Sequence, residues 1–296
     1  MNDFKLLTLK DKEVFDEFLA QDPPRTSELT FTNLFMWRVC NDSVWKMEGD
    51  CILVILRPET EPPFGLPPFG PGDKASALRT LSENLTGTST EPRIARVDRN
   101  FVERYVDPDE YRAIADRNHS DYVYLSEDLI NLPGNRYHRK KNHLNKFVKN
   151  YEFEYRRLDE ELVKSFMELQ EDWCELKDCE SNQDLSDENV AVYEALKHYK
   201  SLDYRGGAIL IDSKVEAFAL GEELNRDTAV IHIEKANPEI PGLYVAINQR
   251  FCAAEWAHLT YVNREQDLGV PGLRKAKESY NPNHMVDKFV VAPRRS

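Results

Sequence analysis

The stretch from Arg136 to Lys149 holds six Lys or Arg, two His and no acid, so it is +6 inside a chain whose remainder is −19. Clustered cations of this density can contact phosphate. Arg139, Lys140, Lys141 and Lys146, with His143 between them, are the residues that would hold it. A nucleotide cofactor, the acceptor end of a tRNA or a lipid headgroup would each supply that phosphate. The turn Pro133-Gly134-Asn135 can start a helix whose free N–H groups would face an anion. Leu144, Phe147 and Val148 give the helix an apolar side, so it reads as a docked helix with an exposed basic face. The bland alternative is a solvated helix between domains that balances nearby acids.

A second set of reactive side chains lies beyond residue 220. Alternation over His232-Ile233-Glu234-Lys235 puts Ile231 and Ile233 on one sheet face and His232 and Glu234 on the other. Glu222 and Glu223, at the end of the preceding strand, can approach that pair. Carboxylates grouped with a histidine can hold and deprotonate an amine nucleophile. If residues 260–268 stay extended, Tyr261, Asn263, Glu265 and Asp267 share a face, and Arg264 lies among them. Gly269-Val-Pro-Gly272 then leads into a helix carrying Arg274, Lys275 and Lys277, with Leu273, Ala276 and Tyr280 as its apolar stripe. Tyr280 reads as a core tyrosine or as a proton donor, and Arg264, Arg274 and Lys275 as groups able to stabilise an oxyanion.

Two glycine-containing turns could cradle phosphate: Phe69-Gly70-Pro71-Gly72 and the loop from Asn237 to Tyr244. Pro71 lacks a backbone donor, and Tyr244 stands where a small residue would be wanted. Both read better as sharp strand-to-helix turns.

The elements that must position these residues follow a repeated order. The first half gives helices near Lys12–Ala20 and Thr30–Val39, then a hairpin of Val44–Met47 and Cys51–Leu56. A Pro/Gly loop, a helix over Asp73–Leu85, a strand at Arg93–Val97, a helix at Asn100–Tyr105 and a strand at Tyr122–Leu125 complete it. In the second half Leu162, Phe166, Leu169, Trp173 and Leu176 form one helical stripe. A helix with Val192, Leu196 and Tyr199 comes next, then a hairpin of Ala208–Ile211 and Val215–Leu220. A strand at Thr228–Glu234, a helix with Ile247, Phe251 and Ala254, and a strand at Thr260–Arg264 follow. Leu273–Tyr280 and Val286–Val291 close the half as helix and strand. This mixed order predicts an α+β architecture of two tandem units, mixed sheets flanked by helices, divided as 1–133, a basic linker helix 134–150, and 151–296.

Composition narrows the classes. The 296 residues carry 39 Lys and Arg against 52 Asp and Glu, a net charge of −13, so bulk attraction to polyanions is excluded and any such contact is local. The longest apolar run, Cys51 to Leu56, is far below the ~20 residues of a membrane span. The start, Met1-Asn2-Asp3-Phe4-Lys5, has no secretory h-region, and a cytoplasmic protein with no integral membrane association is expected. Cys40, Cys51, Cys174, Cys179 and Cys252 are odd in number with no C-x-x-C pair, so five free thiols in a reducing compartment and no metal site are expected.

The element order is that of the GCN5-related N-acetyltransferase (GNAT) fold, the acyl-CoA N-acyltransferase-like architecture, taken twice. Three motifs narrow it further: Gly134-x-x-Tyr137-His138-x-Lys140-Lys141-Asn142-His143-x-x-Lys146-Phe147, the run His232 to Asn237, and the run Asn263 to Pro282. They resemble the bacterial family related to the C-terminal domain of phosphatidylglycerol lysyltransferase, over about Thr26 to Val291. The resemblance implies two tandem acetyltransferase-like domains and aminoacyl-tRNA as donor of an ester-linked amino acid. Its lipid enzymes carry a long membrane region that does not occur here, and the acetyltransferase phosphate loop is missing from both halves.

The expected function is an acyl- or aminoacyltransferase, moving an amino acid from aminoacyl-tRNA to an amine or hydroxyl. Two alternatives stand beside it: a CoA-dependent N-acetyltransferase, and a non-catalytic RNA- or partner-binding protein of the same fold. Glu234 or Asp267 would orient or deprotonate the acceptor, and Arg264, Arg274 or Lys275 would steady the oxyanion. Tyr280 would supply a proton. The helix 136–149 would bind the tRNA acceptor end, with His232 and Asn263 contacting substrate. No cofactor is implied beyond aminoacyl-tRNA or acyl-CoA as donor.

Overall fold

In the first half, hairpin and cap signals act locally. A computed structural model describes residues 3–87, 89 and 92–294. Its first strands are β1 (Lys5–Leu6), β2 (Val44–Glu48), β3 (Cys51–Leu56), β4 (Phe64–Gly65), β5 (Ile94–Asp98) and β6 (Tyr111–Ala115). The helices among them are α1 (Lys12–Gln21), α2 (Phe31–Met36), α3 (Arg38–Asn41), α4 (Lys74–Thr86) and α5 (Arg99–Tyr105). Side chains of Thr30, Asp73 and Asp98 accept backbone N–H groups at the starts of α2, α4 and α5. Each such cap contributes about 1 kcal/mol. β3 is buried along its whole length, which is why its apolar run does not alternate.

The second half opens with β7 (Asp121–Leu125), α6 (Ser126–Asn131) and the basic helix α7 (His138–Asn150). Then come β8 (Phe153–Arg157), α8 (Glu160–Lys177), α9 (Gln183–Lys197), β9 (Arg205–Ile211), β10 (Lys214–Asn225) and β11 (Thr228–Ala236). α10 (Leu243–Glu255), β12 (Tyr261–Asn263), α11 (Pro271–Glu278), β13 (His284–Val286) and β14 (Lys288–Pro293) end the chain. β6 and β8 add to the expected elements, and the expected final strand divides into β13 and β14. Leu176, placed in the buried stripe of α8, is 56% exposed, because the stripe ends at Cys174. None of α11 is buried, so its expected apolar stripe fails and buried Tyr280 lies past its end.

Two mixed seven-stranded sheets result, in the orders β1-β2-β3-β4-β5-β14-β6 and β13-β7-β12-β11-β10-β9-β8. The first takes β14 from the far end of the sequence, and the second is built from β7 to β13. β14 pairs antiparallel with both β5 and β6, while β7 pairs antiparallel with β12. The chain therefore divides as Met1–Asp121, Gln266–Gly269 and Val286–Ser296 in one unit, with Tyr122–Glu265 and Val270–Met285 in the other. The sequence limits 133/134 and 150/151 both fall inside the second unit. There α7 is a packed element: Phe147 is fully buried in the cluster of Tyr122, Tyr124, Phe251 and Trp256.

The cysteines require a correction. Cys174 and Cys179 form a disulfide, whereas Cys40, Cys51 and Cys252 are free. Asp178, at φ 52°, ends α8 in the left-handed region and folds the chain back so that the two sulfurs meet.

Candidate functional site

Packing of α7, α10 and the turn after β12 against β11 brings the principal polar cluster of the second unit together. Gly221 pairs with Ile231 and Leu220 with Ile233, so a bulge at His232 breaks the alternation expected of β11; Ile231 packs with Ile247 and Phe251 of α10, and on that side stands Glu234. Its Oε1 accepts a hydrogen bond from Arg264 Nη2 at 3.0 Å, and its Oε2 accepts one from Asn248 Nδ2 of α10 at 3.0 Å. The Arg264 guanidinium lies 4.6 Å from the Tyr280 ring centroid and 5.7 Å from that of Tyr124. Lys140 of α7 sits over the same Tyr280 ring, 3.8 Å from its centroid. Two cations thus share one aromatic ring and one nearby carboxylate.

Electrostatics give these groups different tasks. Burial and then the neighbouring Arg264 charge push the Lys140 ammonium down to about 8. Burial opposes the charge on Arg264, but Glu234 outweighs it and keeps the guanidinium protonated. Burial raises the Tyr280 and Tyr124 phenols, so both stay neutral. Burial likewise pushes the Cys252 thiol up to about 12, which makes it a packing residue and not a nucleophile. Arg264 Nη1 and Asn248 Oδ1 are buried with no hydrogen-bond partner in the protein. Unsatisfied buried polar atoms are costly.

Beside this cluster, His232 is held between two carboxylates. Nε2 lies 2.8 Å from Glu222 Oε1 and Nδ1 lies 2.8 Å from Glu265 Oε1. Asn263 is fully buried and its Oδ1 accepts the Glu265 N–H at 2.8 Å. His232 and Asn263 are therefore committed to protein partners. Farther along β11, Lys235 is buried, paired with Glu188 and seated 3.5 Å from the Trp173 ring centroid. Trp173 Nε1 donates to the Tyr244 hydroxyl at 2.9 Å. Sequence reasoning missed Asn248, Tyr124 and this second cation–aromatic group. Each comes from a different element, so no spacing signal exists for them.

The remaining expected site residues are dispersed. Arg139, Lys141, His143 and Lys146 are exposed along α7, while Leu144 and Lys140 are half-buried on its inner side. Lys275 is exposed and Arg274 half-buried on α11. Asp267 belongs to the first unit, fully buried, where it accepts from Arg117 Nη1 at 3.1 Å and from the Gly269 N–H at 2.8 Å. Those bonds give it the work of holding a turn. The glycine loop of the first half has its amides bonded internally: Gly70 N–H to Asp22 at 3.1 Å, Gly72 N–H to the Asp50 carbonyl at 3.0 Å. It is a turn, as expected, with no free phosphate cradle. Among the described residues no group of His, Cys, Asp and Glu could hold a metal ion, and no helix is long and apolar enough to cross a membrane.

Comparison with known proteins agrees with this architecture. The family model described as phosphatidylglycerol lysyltransferase, C-terminal, matches residues 20–292. A conserved protein of unknown function from Bacteroides thetaiotaomicron is 30% identical, with a TM-score of 0.90 over 98% of this chain and 99% of that one. L-PGS from Bacillus licheniformis shares the fold at 13% identity, TM-score 0.65, over 97% of this chain and 93% of that one. A tandem GNAT protein from the clavulanic acid biosynthesis pathway matches at 11% identity, TM-score 0.50, over 99% and 98%. An uncharacterized protein from Mycoplasmoides gallisepticum is 22% identical over 175 residues, 58% of this chain and 56% of that protein, so the match spans about half of that relative. The fold is α+β and GNAT-like.

Proposed function

The chain belongs to the phosphatidylglycerol lysyltransferase C-terminal family, and from that premise we propose that it is an aminoacyltransferase using aminoacyl-tRNA as donor. The observation that carries the proposal is the group formed by buried Tyr280 and half-buried Glu234, Arg264 and Lys140. Attack of an acceptor amine or hydroxyl on an aminoacyl ester builds negative charge on the carbonyl oxygen. Arg264, fixed by Glu234, is a permanent cation suited to that charge. Lys140, pushed down to about 8, can take the acceptor's proton and return it to the departing ribose oxygen. The exposed Arg139, Lys141 and Lys146 would hold donor phosphates. Cytoplasmic location and origin of the two units by duplication belong to the same reading.

Binding of aminoacyl-tRNA, deacylated tRNA and competing CoA at two salt concentrations tests it. Charged tRNA is expected to bind best, and the triple variant R139A/K141A/K146A should lower the salt slope by about 2. Transfer to an added acceptor should fall about 100-fold in R264Q. Equal binding of charged and uncharged tRNA would leave a phosphate-binding module. Engagement of CoA alone would replace the donor.

A further inference from the structure

Arg264 owes its place to the turn that follows β12. In that turn Glu265 adopts φ 57°, a left-handed conformation that a residue with a Cβ disfavours. Several bonds maintain it. The Asn263 side chain takes the Glu265 N–H, and the Tyr122 N–H donates to the Glu265 carbonyl at 3.1 Å. Arg264 N–H donates to the Tyr122 carbonyl at 2.9 Å, and Lys277 Nζ donates to the Arg264 carbonyl. The Glu265 carboxylate is bound to His232, whose other nitrogen is bound to Glu222 of β10. With a carboxylate on each ring nitrogen, both nitrogens donate and the ring is a cation.

We propose that His232 is a positioning residue: bridging Glu222 and Glu265, it locks the 263–265 turn so that Arg264 lies against Glu234, Tyr280 and Lys140. The clip ties β10, β11 and the β12 turn at one point, and Arg264 is the residue next to its outer end. Although burial opposes a charged ring, Glu222 and Glu265 outweigh it and raise His232 to about 10, so the clip stays closed across the physiological range. Its catalytic meaning rests on the transferase reading, but the positioning can be measured without any substrate. Lys140 is the reporter, because Arg264 helps to depress it.

The experiment follows the Lys140 titration by NMR of the ¹³C-methylated full-length protein in wild type, R264Q, H232Q and E265Q. R264Q sets the upward shift that losing the guanidinium produces. H232Q and E265Q are expected to give at least half of that shift while the amide spectrum outside the turn stays unchanged. Wild-type titration of Lys140 in H232Q and E265Q, beside a clear shift in R264Q, would overturn the proposal. No shift in any variant would overturn it too, since Arg264 would then not stand beside Lys140 as required. If H232Q does not fold, E265Q at its half-buried position makes the same comparison. Shifts as expected in a protein that transfers nothing would leave the clip standing and remove the transferase reading.

Discussion

His232 and Lys140 lie in one unit, and burial disfavours the charge on both, but their neighbours send them in opposite directions. Lys140 has the charge of Arg264 beside it and is pushed down. His232 has two carboxylates in hydrogen-bond contact and is raised to about 10. The consequence for stability has a definite sign. A raised histidine binds its proton more tightly in the folded state, so its contribution is complete below its ordinary value of 6.5 and is lost as pH rises towards 10. The stability difference between wild type and H232Q should therefore shrink from pH 6.5 to 10, by at most about 1.4 kcal/mol per pH unit. Urea melts of both proteins at four pH values measure it, and a difference constant with pH would mean that the ring is neutral. The sequence put His232 and Glu234 opposite Ile231 and Ile233, because alternation is local, and the bulge at His232 breaks that pattern. It could not show Glu265 reaching His232 or Asn248 reaching Glu234, because those meetings depend on strand and helix packing across tens of residues.

Among the elements, α7 is the one whose placement decides what the basic residues can do. Its spacing gave a docked helix with Leu144, Phe147 and Val148 inward; Phe147 is buried and Leu144 half-buried, whereas Val148 is 46% exposed. The unforeseen point is its neighbour: the start of α10 packs so closely on α7 that a Cβ on Gly242 would lie 2.5 Å from the His143 carbonyl oxygen. Gly242 also holds φ 89°, which a side chain disfavours. Gly242→Ala should destabilise the protein by about 1–3 kcal/mol and shift α7, weakening polyanion binding although no cation is removed. Urea unfolding and tRNA binding on the same variant check both parts; unchanged stability would show that α10 can retreat from α7. Asp159 and Asn182 cap the starts of α8 and α9, where the expected helices rested on apolar stripes alone. β6 and β8 were not legible, since β6 is exposed after Tyr111 and β8 carries Glu154, Arg156 and Arg157 with no fully buried position. Their pairing partners define them, and a single strand's composition does not record those.

For the molecule as a whole, the return of the last strand to the first sheet is the feature that sequence order conceals most completely. β14 looks like one more terminal strand, yet it lies inside the first sheet between β5 and β6. The first unit therefore cannot complete its sheet until the end of the chain is present, a long-range closure that slows folding. Lys288 shows how the strand is secured. Its fully buried ammonium donates to Glu28 at 2.6 and 2.7 Å and to Asp121 at 2.6 Å, and Ser27 bonds the same Asp121 carboxylate. An ammonium so placed adds little over an apolar core when intact, but removing it leaves carboxylates buried without their cation. Lys288→Met should cost about 3–5 kcal/mol for that reason, despite the similar size of the side chain. The loss should be regional: amide hydrogen exchange should accelerate in β5, β6 and β14 and stay slow in β9, β10 and β11. Equal acceleration in both sheets would mean that the two units unfold as one cooperative body, and no acceleration would mean that the strand needs no ionic lock.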